Sequence, residues 1–292
     1  MVMIRANGLG LHVQRLAPRD RPPRGTAVFI HGAFIDSLAS YYFTLGPVFA
    51  AAGYEAVMYD LRGHGRSERP PTGYTLEHFT ADLDALLDEL DIDHPVHLVG
   101  NSFGGTVALD YVVHRPERVA TVTVIESGPA SRTWSDTMAA ALRHAVGMPE
   151  DDALLWFTEQ YGTLSSTRTG DARHDAHIRR LGQAAGRLVR STTIAEDIPG
   201  GRVLTDGQLG RVRCPVLLIN GQEGLVAAEA ARLRSLLPRC RVAVVPGQKH
   251  SVLVEASDAV GELALSWIRD HPAALPGPTA AASAPGGPGP VR

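Results

Sequence analysis

Gly100-Asn101-Ser102-Phe103-Gly104-Gly105 constrains this chain more than any other segment. It lies between an apolar run, Val96 to Val99, and a stretch of helical character, Thr106 to His114. A serine with glycines two before and two after it, at a strand-to-helix junction, marks a turn too sharp for bulky neighbours. Such a turn lifts the hydroxyl into the mouth of a site. It aims the backbone N–H of the next residue, Phe103, into the same space. The expectation is a nucleophile elbow with Ser102 as the nucleophile.

The rest of the chain supplies the sheet that such a turn needs. Leu11 to Leu16, Thr26 to Ile30, Tyr54 to Tyr59, Val119 to Ile125, Pro215 to Asn220 and Arg241 to Val245 read as further strands. Most are short apolar runs without strict alternation, as in parallel strands covered on both faces. Thr75 to Leu90 carries Leu76, Phe79, Leu83, Leu86, Leu87 and Leu90 at helical spacing, and Leu225 to Leu237 and Ala256 to Arg269 read as helices. Strands alternating with helices predict an α/β fold with a mostly parallel sheet. From Ser127 to about Leu204 the pattern changes to helices alone: Ser135 to Val146, Asp151 to Tyr161 and Asp171 to Arg190. A helical insertion inside such a sheet reads as a cap. The expected organisation is therefore a core of residues 1–126 and 205–270, a cap of 127–204, and a tail of 271–292. The tail is rich in Pro, Ala and Gly and too poor in apolar groups to order itself.

Composition excludes several partners. The chain is 44% hydrophobic, enough for a sizeable core, and its net charge of −3 gives no reason to expect nucleic acid or an anionic membrane. There is no run of eighteen apolar residues and no secretory apolar core at the N-terminus, so a cytoplasmic protein is expected. Cys214 and Cys240 are too few for a disulfide framework or a metal site and read as small core residues. His174 and His177, three apart on a predicted helix, have no third ligand in view and read as a solvated face. No cofactor and no metal are expected.

Four segments share a pattern: His31-Gly32-Ala33-Phe34, the run from Asp60 to Ser67, the elbow, and Pro246-Gly247-Gln248-Lys249-His250. In this order and spacing the chain resembles the α/β-hydrolase superfamily from about Thr26 to Trp267, the cap apart. The resemblance implies an α/β-hydrolase fold with a helical cap. An unassisted serine hydroxyl is a poor nucleophile at neutral pH. By resemblance its general base is His250, which follows the last strand. The oxyanion-hole donors are then the backbone N–H groups of Ala33 and Phe103, and Phe34 walls the pocket. Asp60, Arg62, His64 and Arg66 read as a structural turn.

The acid departs from the commonest family pattern. The family usually carries an aspartate three residues after the glycine that here is Gly221, and that position is Gly224. Glu223 is one residue early but has an extra methylene. Glu126 ends the strand after the elbow, the place from which haloalkane dehalogenase-like members take their acid. Orienting the imidazole is the acid's task, and a strand end fixes a side chain better than a loop. Glu126 is thus preferred, Glu223 is the alternative, and a dyad of Ser102 and His250 without an acid is the third option.

In the cap, Trp134, Trp156, Phe157 and Tyr161 are candidates for an apolar acyl pocket, with plain core packing as the competing reading. Arg179, Arg180, Arg187 and Arg190 fit either an anionic substrate or carrier, or a solvated face. The expected reaction is cleavage of a carboxylic ester, lactone or thioester through an acyl-enzyme, or transfer of its acyl group. The substrate is a small molecule or a carrier-bound acyl group. The alternatives are a carbon–carbon bond hydrolase of the meta-cleavage type and a non-catalytic small-molecule binding protein. A serine at position 102 disfavours epoxide hydrolase and dehalogenase chemistry, which needs a carboxylate nucleophile there.

Overall fold

The computed structural model describes residues 2–149, Ala153, 172–224 and 226–273. Runs of apolar and β-branched residues form its sheet. The strands are β1 (Val2–Ala6), β2 (Leu9–Leu16), β3 (Thr26–Ile30), β4 (Glu55–Tyr59), β5 (Val96–Asn101), β6 (Val119–Ile125), β7 (Val216–Gly221) and β8 (Cys240–Val245). They lie in the order β1-β2-β4-β3-β5-β6-β7-β8. β1 pairs with β2, and β2 with β4, in antiparallel fashion; every later pair is parallel. The expected α/β-hydrolase fold, with a mostly parallel sheet flanked by helices, is what the chain adopts.

Alternate side chains of each central strand enter two cores, one on each face of the sheet. Val28, Ile30, Leu98, Val122 and Val124 pack with α3 (Leu76–Glu89) and α4 (Phe103–His114). Ala27, Phe29, Val99, Ile125 and Ile219 pack with α1 (Ala39–Tyr42), α2 (Leu45–Ala51) and the helix Ser257–Asp270. Burial on both faces explains why these strands read as continuous apolar runs.

β1 is absent from the sequence reading because it is short and mostly exposed. Its signal is the Asn7-Gly8 pair, whose φ values of 49° and 73° make a two-residue hairpin into β2. α4 begins at Phe103, not at Thr106. Gly104 and Gly105 weaken the helical pattern there, yet Ser102 turns from strand to helix in a single residue.

The insertion between β6 and β7 carries α5 (Arg132–Val146), α6 (Ala172–Ser191) and α7 (Ile194–Gly200), followed by α8 (Asp206–Leu209) before β7. The Ser131 hydroxyl caps α5 by accepting the Trp134 N–H at 3.1 Å. Where the insertion leaves and rejoins the core, the Leu204 N–H donates to the Ala130 carbonyl at 2.7 Å. Asp197 of α7 accepts the Tyr74 N–H at 2.9 Å, tying this helix to the loop before α3. The predicted helix from Asp151 to Tyr161 lies outside the described residues except for Ala153, as does the tail from 274 onward. Among the described residues no helix is long and apolar enough to cross a membrane.

Candidate active site

Ser102 sits between β5 and α4 with φ 52° and ψ −125°. A non-glycine residue rarely adopts that conformation, and the structure around it must enforce it. The Ser102 N–H donates to the Ile125 carbonyl at 2.9 Å, and its own carbonyl accepts the Gly105 N–H at 2.9 Å. The flanking glycines are a steric requirement. A Cβ on Gly100 would fall inside the backbone of Gly104 and Gly105, and one on Gly104 inside that of Ile30 and His31.

Two distant segments meet this serine. His250 Nε2 stands 3.1 Å from Ser102 Oγ. The loop that carries His250 is set by backbone bonds to the end of β7 and the turn after it: Gln222 N–H to the Val245 carbonyl at 3.0 Å and Glu223 N–H to the Gln248 carbonyl at 2.9 Å. On the far side of the imidazole, Nδ1 lies 3.4 Å from Glu126 Oε2. Glu126 follows directly on β6, is 1% exposed, and has φ 47°. Its backbone N–H donates to the Ile219 carbonyl at 2.9 Å, and its Oε1 accepts the Gly221 N–H at 2.6 Å. The carboxylate is thus fixed by one backbone donor and faces the imidazole with its other oxygen. Glu223, the alternative acid, is exposed on the turn after β7.

The segment that carries Ala33 and Phe34 is held by two neutral imidazoles and two carboxylates. His31 Nε2 accepts the Leu61 N–H at 2.9 Å, and its Nδ1 donates to the Gly32 carbonyl at 2.6 Å. His64 Nε2 accepts the Phe34 N–H at 2.8 Å, and its Nδ1 donates to the Arg62 carbonyl at 2.8 Å. An accepting ring nitrogen requires the neutral form. Burial, with His31 alongside, pushes the His64 pKa down to about 3. Asp36 accepts the Gly32 N–H, and Asp60 accepts those of Leu38 and Arg66. The expected structural turn from Asp60 to Arg66 is therefore also the support of the loop beside Ser102. No motif marks Asp36, and its bond to the Gly32 N–H appears only in the structure. Phe34 takes φ 68°. Among the described residues, the N–H groups of Ala33 and Phe103 have no hydrogen-bond acceptor.

Ser102, His250, Glu126, Ala33, Phe34 and Phe103 line one cavity of about 340 Å³, roofed by Trp134, Thr137 and Met138 of α5 and Ile198 of α7. Trp134 stacks on Phe103 with ring centroids 6.4 Å apart and planes 15° apart, so it is both packing and wall. Trp156, Phe157 and Tyr161 lie outside the described residues. Arg179, Arg180, Arg187 and Arg190 are exposed on α6. Cys214 and Cys240 form no disulfide. Among the described residues, no group of three His, Cys, Asp or Glu side chains is placed to hold a metal.

A family model for the alpha/beta hydrolase fold matches residues 26–257. The chain is 34% identical to a non-heme chloroperoxidase of Streptomyces lividans over 133 residues, 45% of this chain and 46% of that protein. The matched part thus spans under half of that relative. It is 26% identical to a putative non-heme chloroperoxidase of Synechocystis over 230 residues, 75% of this chain and 82% of that one. Among solved structures, a meta-cleavage product hydrolase superposes with a TM-score of 0.74 at 19% identity, covering 92% of this chain and 98% of that one. The chain belongs to the alpha/beta hydrolase fold family and is an enzyme of that class.

Proposed function

We propose that this protein is a serine hydrolase that cleaves a carboxylic ester, lactone or thioester of a small molecule or carrier through an acyl-enzyme. The observation that carries this reading is the line Ser102 Oγ, His250 Nε2, His250 Nδ1, Glu126 Oε2, with spacings of 3.1 and 3.4 Å. His250 takes the Ser102 proton as Oγ bonds to the acyl carbon. The carbonyl oxygen becomes an oxyanion and accepts from the Ala33 and Phe103 N–H groups. His250 then passes the proton to the departing alkoxide or thiolate. In the second half a water gives its proton to His250 and its oxygen adds to the acyl carbon; as the adduct collapses, His250 returns that proton to Ser102 Oγ and the acid is released. Glu126 holds Nδ1–H and stabilises the imidazolium. The 3.4 Å separation is long for a charged pair and shortens as the imidazolium forms.

The test is intact-mass analysis after incubation with a fluorophosphonate, with Ser102→Ala as control. One adduct, lost in the variant, supports an activated serine; no adduct on a folded protein refutes it. The elbow Gly-Asn-Ser-x-Gly-Gly also suits a carbon–carbon bond hydrolase, which is the second reading. Turnover of a vinylogous 1,5-diketone in preference to esters and thioesters would favour it.

A further inference from the structure

The cavity at Ser102 has a neighbour. A second chamber of about 230 Å³ lies between α5 and α6. Leu142, Ala145 and Val146 form its α5 wall, and Ala185, Gly186 and Val189 its α6 wall. Ala145, Ala185 and Gly186 are small, and Val146 on the rim is 54% exposed, so the chamber opens to solvent on that side. Ala33 and Phe34 line both chambers, so the two spaces are neighbours at the loop beside Ser102. Among the described residues the one charged lining residue is Arg190, exposed on α6. An apolar cavity of ~150 Å³ is enough to hold a benzene ring.

We propose that this second chamber takes the acyl side of the substrate, an aryl group or an unbranched alkyl chain of about six carbons or more. The inference rests on the serine-hydrolase reading above. In that mechanism His250 protonates the leaving group, which must then lie against the His250 wall, where Val226 and Glu229 also line the first cavity. The second chamber shares none of those residues. Among the described residues only Ala33 and Phe34 line both spaces, so a substrate group that reaches the second chamber past them is the one left on Ser102. Ala145 and Ala185 become specificity-determining positions: a larger side chain at either shortens the chamber from opposite walls.

The experiment compares p-nitrophenyl acetate, butyrate, hexanoate and octanoate, and in parallel methyl to octyl acetates, on the wild type, Ala145→Leu and Ala185→Leu. The wild type is expected to prefer hexanoate over acetate by about tenfold or more in kcat/KM. Each variant should lose about tenfold on hexanoate while acetate stays within about twofold. Because the two substitutions sit on separate helices, loss of fold in one leaves the other to decide. A flat acyl profile, an equal loss on acetate and hexanoate, or length dependence in the alcohol series would overturn the assignment while fluorophosphonate labelling of Ser102 persisted. A protein that neither labels nor turns over any ester removes the hydrolase reading and this chamber's role together.

Discussion

Gly224 and the Glu126 carboxylate contend for one space: a Cβ on Gly224 would stand 2.6 Å from Glu126 Cδ and 2.7 Å from its Oε2. The side-chain-free position after β7 is therefore what admits a glutamate from the end of β6. Glu126→Gln is expected to lower kcat by about two to four orders of magnitude with the fold intact, since His250 loses its charge partner. Glu223→Gln, at an exposed position, should change kcat by less than about twofold. In Glu126→Ala, adding Gly224→Asp places a carboxylate in the vacated space and should recover about tenfold or more. Steady-state kinetics on the four variants decides it, and failure of the Gly224→Asp rescue would count against a shared acid position.

Strain at the elbow should be measurable as stability. Ser102→Ala keeps a Cβ at φ 52°, whereas Ser102→Gly removes the steric cost of that conformation. The glycine variant is expected to be about 1 kcal/mol more stable than the alanine variant, despite glycine's larger loss of entropy on folding. Paired urea titrations read the difference; equal midpoints would mean that the turn is relaxed.

Two buried imidazoles set a pH limit on the fold. Burial pushes His64 down to about 3 and His97, beside Thr121 Oγ1, down to about 4. In the unfolded chain each titrates at about 6.5. Below that pH the unfolded chain binds protons that the folded one refuses, so stability falls as pH drops from 6.5 toward 4. With both groups the slope approaches about 2.5 kcal/mol per pH unit near pH 5. Denaturation free energies at pH 7, 6 and 5 test this, and His97→Asn should remove about half the slope. A stability unchanged from pH 6.5 to 5 would rule it out.

The insertion's exit is pinned by an ion pair. Arg202 Nε donates to both oxygens of Asp110, at 2.9 and 3.0 Å, and Asp110 is fully buried on α4. Arg202→Ala strands that carboxylate and should cost about 2–4 kcal/mol. Adding Asp110→Asn removes the stranded charge and should return part of the loss. Chemical denaturation of the single and double variants reads both numbers; equal stability of wild type and Arg202→Ala would show that the pair contributes nothing.

The sequence carried the sheet and its central residues clearly because both rest on local patterns. Continuous apolar runs mark β3 to β7, and Ser102 and His250 lie in short segments whose spacing survives in one dimension. Glu126 was harder. Its reach to His250 depends on φ 47° at the strand end and on the absence of a side chain 98 positions later at Gly224, a pairing that appears only when β6 and β7 lie side by side. The support of the Ala33 loop by His31, His64 and Asp36 depends likewise on two segments meeting, 31–36 and 60–66. Nothing in the sequence singles out the cavity walls Met138 and Ile198: Met138 lies in the predicted helix Ser135 to Val146 and Ile198 outside every predicted one, and periodicity says which face is buried but not what it faces.

The hydrogen bond between Leu204 and Ala130 brings the two ends of the inserted segment side by side. Seen from the sheet, some seventy residues depart and return through a single doorway. A replacement segment grafted at these two residues would leave the backbone that carries Ser102, Glu126 and His250 in place, but it would have to supply the contacts that Arg202 makes to Asp110 and Asp197 makes to Tyr74. Ser102, Glu126 and His250 lie on one side of that doorway, and Trp134, Met138 and Ile198, which roof the cavity above them, lie on the other.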